Sequence, residues 1–348
     1  MIFIPKPGKP SYKIAKAWRP ISLTNYLLKG LERLCAWHMD GQVKQNPVHT
    51  LQHGFRTDRN TDTALSTVAN RLEKNTYMDK ETIAVFLDIA AAFDTICPGL
   101  IKRKLLEHGG DPIMVNWYFK FISHRNLLVE INGNLVTKAV YIGFPQGGVC
   151  SAKFWIIAFN EAINIINSYG AFGNGFADDC VTMISGKNLK AMMNNLQKVV
   201  NKLEAWGQTA GLKFNSSKTE VVIFTKKRLK PEHMPQKLKV SNQPVEFSTT
   251  AKYLGVTLDQ KLTWNTHLHN QINKGKRYLF TLKKAVVRNW GPKPKFIKWM
   301  IDAVFIKRFT YGILVWGHTL RNPSKKAAVS KLNKLAASII TPEEHQLP

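Results

Sequence analysis

The run Thr82-Ile83-Ala84-Val85-Phe86-Leu87-Asp88-Ile89 admits a single acid into a stretch that is otherwise almost wholly apolar. Aromatic and β-branched residues without polar alternation predict a strand covered on both faces, in the middle of a sheet. Asp88, near its end, is then the strongest constraint on the fold. A carboxylate left unpaired in such a place is costly, so the strand has to carry it to a point where its charge is compensated.

The chain of 348 residues is 44% hydrophobic and 10% aromatic, enough to bury a full core in two or three subdomains. Its formal charge of +27 calls for an anionic partner, either nucleic acid or an acidic membrane. Residues 1–211 carry 24 Lys and Arg against 16 Asp and Glu, and residues 212–348 carry 26 against 7, so the excess sits towards the end. No apolar stretch reaches the ~18 residues that a membrane span needs, and the start, Lys6-Pro7-Gly8-Lys9-Pro10, is no signal segment. The expectation is a soluble, intracellular protein of the nucleus or cytoplasm, with no membrane partner. Cys35, Cys97, Cys150 and Cys180 fit no CxxC pattern and read as free thiols, mostly buried.

Helical spacing of Leu27, Leu28, Leu31 and Leu34 predicts a helix over residues 26–39, followed by a polar segment at 52–62. Alternating stretches around Asn132-Gly133 predict a tight hairpin over 127–141. A glycine-rich corner at 143–148 leads into an apolar helix over 152–166, and 172–184 reads as strand, turn, strand. Leu189, Met192, Met193, Leu196, Val199, Val200, Leu203 and Trp206 fall on one helical face, with Gly211 just past its end. Strands at 220–224 and 253–258 complete an antiparallel sheet covered by helices, an α+β arrangement. From Thr263 the pattern turns helical and basic, with Lys274, Lys276, Arg277, Lys283, Lys284 and Arg288. Trp290, Trp299 and Trp316 in that part read as core anchors rather than base-stacking platforms.

Asp178-Asp179 sits at the turn of the strand–turn–strand segment. If Asp88 meets this pair at one sheet edge, three carboxylates repel one another unless a cation lies between them, and magnesium with its oxygen ligands suits such a site. Two ions there would perform nucleotidyl transfer. Taken alone, the pair could equally supply turn chemistry and Asp88 a helix cap.

The motifs occur together and in order. Phe176-Ala177-Asp178-Asp179 resembles the aromatic-x-Asp-Asp box of reverse transcriptases, and Phe86-Leu87-Asp88-Ile89-Ala90-Ala91-Ala92-Phe93-Asp94 the first catalytic strand of that family. Phe144-Pro145-Gln146-Gly147-Gly148-Val149-Cys150-Ser151 resembles its glycine-turn motif, and Gly211-Leu212-Lys213-Phe214-Asn215-Ser216-Ser217-Lys218-Thr219 the motif after it. Ile4-Pro5-Lys6-Pro7-Gly8-Lys9, Arg19-Pro20-Ile21-Ser22-Leu23, Gln52-His53-Gly54-Phe55-Arg56 and Tyr253-Leu254-Gly255-Val256 with Leu262-Thr263-Trp264 are similar to segments of the non-LTR, jockey-like subgroup.

The resemblance implies a right-hand polymerase fold: partial fingers over 1–80, a palm with an antiparallel sheet and inserted helices over 81–258, and a basic helical thumb over 259–348. It implies an RNA-directed DNA polymerase that extends a DNA primer on an RNA template with dNTPs, using two Mg2+ ions, with Mn2+ as a substitute. Asp88, Asp178 and Asp179 would be the metal-site carboxylates. Phe93 would block a ribose 2′-OH. Lys6 and Arg19 would grip the triphosphate. Gln146 and Gly147 would line the nucleotide and template pocket, Lys218 would protonate the pyrophosphate, and residues 253–255 would hold the primer end.

Two departures stand out. The family usually has Ser-Pro where this chain has Ser151-Ala152, and leucine in place of Cys150; proline at a first helical turn helps but is not obligatory. The chain also begins inside the expected fingers and stops just after the thumb pattern, without the endonuclease or RNase H of parent elements. The runner-up is therefore a truncated, decayed or host-adopted copy that binds nucleic acid without polymerising. The related enzymes that make RNA from RNA share the paired aspartates, but Phe93 leaves no room for a 2′-OH.

Overall fold

The computed structural model describes residues 1–131, 133–285 and 292–340. Its centre is a five-stranded sheet of β1 (Glu81–Leu87), β2 (Phe172–Phe176), β3 (Asp179–Gly186), β4 (Glu220–Phe224) and β5 (Phe247–Ser248), in the order β5-β4-β1-β3-β2. Pairing is antiparallel except for the short β5, which runs parallel to β4 at the edge. The expected apolar strand is thus the middle one. Along it Ile83, Val85 and Leu87 enter one hydrophobic core while Ala84 and Phe86 enter another, which is why its sequence shows no polar alternation. Full burial of each large apolar side chain here contributes about 1.5–3 kcal/mol.

The first core is closed by α1 (Tyr26–Gln45), α3 (Ser151–Ser168) and α4 (Leu189–Ala210), and the second by α2 (Thr61–Tyr77), α5 (Asn265–Ala285) and α6 (Pro323–Ile340). All eight apolar positions of the α4 face are buried, and Gly211 caps the helix at φ 74°. α1 is helical as expected, capped by the Asn25 side chain on the Leu28 N–H at 2.8 Å. Its inward side, however, is Glu32, Cys35, Ala36 and Met39, while Leu27, Leu31 and Leu34 face out at 83%, 48% and 52% exposure. Spacing found the helix but not its buried face.

The hairpin of Arg125–Ile131 and Asn134–Val140 forms with Ile131 opposite Asn134 and Gly133 at φ 78°; Asn132 lies outside the described residues. Residues 253–258 depart from the expected single strand. Thr250–Tyr253 and Val256–Asp259 pair as a separate two-stranded hairpin around Leu254 and Gly255, at φ 44° and 83°. Positive φ at both turn positions is the geometry that matches strand twist in a two-residue loop.

Beyond Thr263 the described chain is helical, and Trp316 is fully buried, as expected of a core anchor. Trp299 is not: it is 64% exposed, because Ile297 and Ile301, one helical turn apart, take the inward positions. Trp290 and Arg288 lie outside the described residues. All four cysteines are free, and Cys35, Cys150 and Cys180 are buried. Among the described residues no helix is long and apolar enough to cross a membrane.

Candidate active site

Leu87 pairs with Cys180 across β1 and β3, so one residue further the chain brings Asp88 level with Asp179. The β2–β3 hairpin pairs Phe176 with Asp179, which leaves Ala177-Asp178 as a two-residue turn. Ala177 has φ 55°, a conformation costing an L-residue about 1–2 kcal/mol. Its neighbours impose it. The Trp155 indole N–H donates to the Ala177 carbonyl at 2.9 Å. From below, a Cβ on Gly54 would stand 2.3 Å from the Ala177 nitrogen, so only glycine fits there. The segment around Gly54 adds backbone bonds: the His53 N–H donates to Gly175 O at 2.8 Å and the Gly175 N–H to Leu51 O at 2.9 Å. This explains why Gln52 and His53, in a stretch that reads as polar, are fully buried.

The three aspartates share one end of the sheet. Asp178 and Asp179 present an accessible face, yet protein packs densely enough behind them that partial desolvation is the main cause raising both pKa values. The charge of Asp88 raises both further, and that of Asp178 helps push Asp179 up to about 6. Arg19 and Lys218 pull Asp178 back towards the charged form. The Lys218 ammonium also donates to both Asp88 oxygens, at 3.2 and 3.4 Å. Asp88 is fixed on its backbone side by the Asn215 N–H at 2.9 Å and by the pairing of Ile89 with Phe214. Thus the motif carrying Lys218 is bound to the strand carrying Asp88.

Hard oxygen donors whose negative charges repel are the donor set a divalent cation stabilises. Among the described residues, no three such side chains are gathered closely enough to hold an ion; Asp88 engages Lys218 instead. Arg19 lies in the field of Asp178, but Lys6 does not join it. The Lys6 ammonium donates to the Lys16 carbonyl at 3.2 Å, just past the end of the ribbon of Ile2–Pro5 and Trp18–Ile21.

Phe93 is half-buried and stacks on Trp155 with ring centroids 5.3 Å apart, touching Phe55 and Phe144 at 6.5 and 6.2 Å. Trp155 therefore spans from Phe93 to the turn that carries Asp178. The Phe144 N–H bonds Phe93 O at 2.6 Å, and Gln146 donates its amide to Asp94 at 2.8 Å. Gly147 is exposed at φ 105°, where a Cβ would meet Ser22 O at 2.9 Å. Sequence reasoning gave no role to Trp155 or Asp94. Asp94 stands inside the first catalytic motif and could have been flagged there; an indole donor in an apolar helix leaves no local signal.

A family model described as "Reverse transcriptase (RNA-dependent DNA polymerase)" matches residues 4–258. The "Probable RNA-directed DNA polymerase from transposon BS" of Drosophila melanogaster is 28% identical, covering 91% of this chain and 35% of its own length. From the same organism, the "Probable RNA-directed DNA polymerase from transposon X-element" is 31% identical over 76% of this chain and 29% of its own, and the "RNA-directed DNA polymerase from mobile element jockey" 25% over 78% and 30%. The chain thus spans about a third of the length of these relatives. A telomerase structure from Candida tropicalis aligns over 69% of this chain and 45% of its own at 14% identity, with a TM-score of 0.49, too low to bear on the fold. With residues 4–258 matched by the family model, the chain belongs to the reverse transcriptase family.

Proposed function

We propose that this chain is the polymerase core of a non-LTR retrotransposon reverse transcriptase, an RNA-directed DNA polymerase that adds dNTPs to a DNA primer on an RNA template. The observation that supports it best is that Asp88, Asp178 and Asp179 reach one sheet end from distant parts of the chain, where the charge of Asp88 raises the pKa of the other two. These three side chains would hold two Mg2+ ions, or Mn2+ in their place, once Asp88 gives up Lys218 and joins the pair. When bound, the ions supply the charge that neutralises the acids and lowers the pKa of the primer 3′-hydroxyl.

The chain's own groups do the rest. Arg19, with Lys6 just past the end of the same ribbon, would meet the triphosphate oxygens. Lys218 Nζ, one hydrogen bond from Asp88, would give a proton to the departing pyrophosphate. The Phe93 ring, braced by Trp155, would stand against the sugar and reject a 2′-hydroxyl. Gln146 and Gly147 would line the base and template side, and the Leu254-Gly255 turn would hold the primer end. In this reading residues 1–80 are partial fingers, 81–258 the palm and 259–348 the thumb. The protein would work inside the cell, in the nucleus or cytoplasm, where RNA template and dNTPs meet.

Extension of oligo-dT on poly-rA with dTTP and Mg2+ tests the proposal. Wild type should extend and Asp178→Ala should lose about 10²-fold or more of the rate. Equal incorporation by the two proteins would remove the polymerase reading, and salt-sensitive binding of primer–template without extension would leave a binding protein.

A further inference from the structure

Glu32 is completely buried on the inward side of α1, among Cys35, Cys150 and Tyr118, and takes no part in the acidic end of the sheet. A carboxylate in that position is costly, and burial raises its pKa; the backbone it meets offsets part of that cost, while its Oε2 has no hydrogen-bond partner among the described residues. One carboxylate oxygen accepts the Cys150 N–H at 3.3 Å, and the Val149 and Cys150 amides both favour its charged form. In return, the Cys150 thiol donates to the Glu32 main-chain carbonyl at 2.9 Å. A Cβ on Gly148 would stand 2.9 Å from the Glu32 Oε1, so the turn lies directly on the carboxylate.

The place of contact is the start of α3. That helix has Cys150 at its N-cap with no side-chain cap bond, and no acid in its first turn. Neither a capping hydroxyl nor an acid from its own sequence meets its exposed N–H groups and positive dipole end. The carboxylate that meets them comes from α1, 118 residues away. Other bonds close the same turn: the Ser22 N–H to Gln146 O at 2.7 Å, the Gly148 N–H to Pro145 O at 2.9 Å, and the Ser151 hydroxyl to Pro145 O at 2.8 Å.

We infer that Glu32 is a positioning residue: by capping α3 from a second helix it clamps the Pro145–Cys150 turn and thereby sets Gln146 and Gly147. The clamp itself is a matter of this fold, whereas its effect on nucleotide binding rests on the function proposed above. Glu32→Ala removes the acceptor and Glu32→Gln keeps it.

Two measurements separate the clamp from that function. Amide hydrogen exchange of Glu32→Ala should speed about tenfold or more at residues 147–151, the loss of one hydrogen bond to a buried acceptor, with α4 unchanged. Glu32→Gln should restore most of the protection. In primer extension Glu32→Ala should raise the KM for dTTP by about tenfold, with kcat and primer–template affinity changed less than about threefold. Unaltered exchange at 147–151 in Glu32→Ala overturns the clamp, whether or not wild type polymerises. Altered exchange with an unchanged KM, or an equal loss in every kinetic constant, overturns the positioning role. A wild type that fails to extend primer counts against the proposed function alone, and the exchange result still decides the clamp. If Glu32→Ala does not fold, Glu32→Asp, whose shorter arm falls short of Cys150, carries both measurements.

Discussion

Phe93 is held on three sides by aromatic rings, and only the remaining side is free to meet a nucleotide. In the proposed role Phe93→Val opens space for a 2′-hydroxyl, so the ratio of UTP to dTTP incorporation should rise at least tenfold. Because the ring also packs on Trp155, the same change should cost about 1–3 kcal/mol of stability, read from urea unfolding. An unchanged ratio in a folded variant would reduce Phe93 to a packing residue. His267 makes a different prediction. It is 2% exposed, its Nδ1 accepts the Thr257 N–H at 3.2 Å, and burial holds its pKa down to about 4 from an ordinary 6.5. Between those values the unfolded chain binds a proton that the folded chain refuses. Stability from this group is therefore complete above pH 6.5 and is lost as pH falls towards 4, by up to roughly 3 kcal/mol. His267→Gln should flatten the dependence of unfolding free energy on pH in that window, although His53, likewise held at about 4, keeps part of the slope.

At the scale of elements, the acidic hairpin depends on what lies beneath it. Gly54 leaves no room for a methyl group against the Ala177 backbone, which is itself left-handed. Gly54→Ala should displace that turn or the segment below it, costing about 1–3 kcal/mol and lowering any activity that depends on Asp178. A melting temperature and extension rate equal to wild type would show that the two segments are not rigidly coupled. The Leu254-Gly255 turn has a comparable brace, the Tyr311 hydroxyl donating to Leu254 O at 2.9 Å, with the Tyr311 ring 3.3 Å from where a Gly255 Cβ would stand. The C-terminal helices thus reach the hairpin read as the primer holder. On α5 the buried residues Leu279 and Leu282 alternate with exposed Lys276, Arg277, Lys283 and Lys284, so its basic side is free for an anionic partner.

Across the whole molecule the charge of +27 is the property that governs association. Binding of primer–template duplex should weaken as a power of salt concentration, by roughly a thousandfold between about 50 and 200 mM if about six phosphates are neutralised. Replacing Lys276, Arg277, Lys283 and Lys284 by Glu should flatten that slope in a filter-binding titration. An identical slope would move the interface off α5. Sequence alone determined the central strand, the helices α1, α3 and α4, the hairpins at 127–141 and 172–184 and the eight-residue face of α4, and it singled out the three aspartates that the sheet brings to one end. These follow from side-chain period and motif order, which are local properties of the chain. The tertiary structure decided the outward leucines of α1, the exposure of Trp299, the separate hairpin at 250–259, the bond from Trp155 to Ala177 and the carboxylate of Glu32 at the start of α3. Each depends on which surfaces meet, and segments more than a hundred residues apart find one another only when two cores close on the two faces of one sheet.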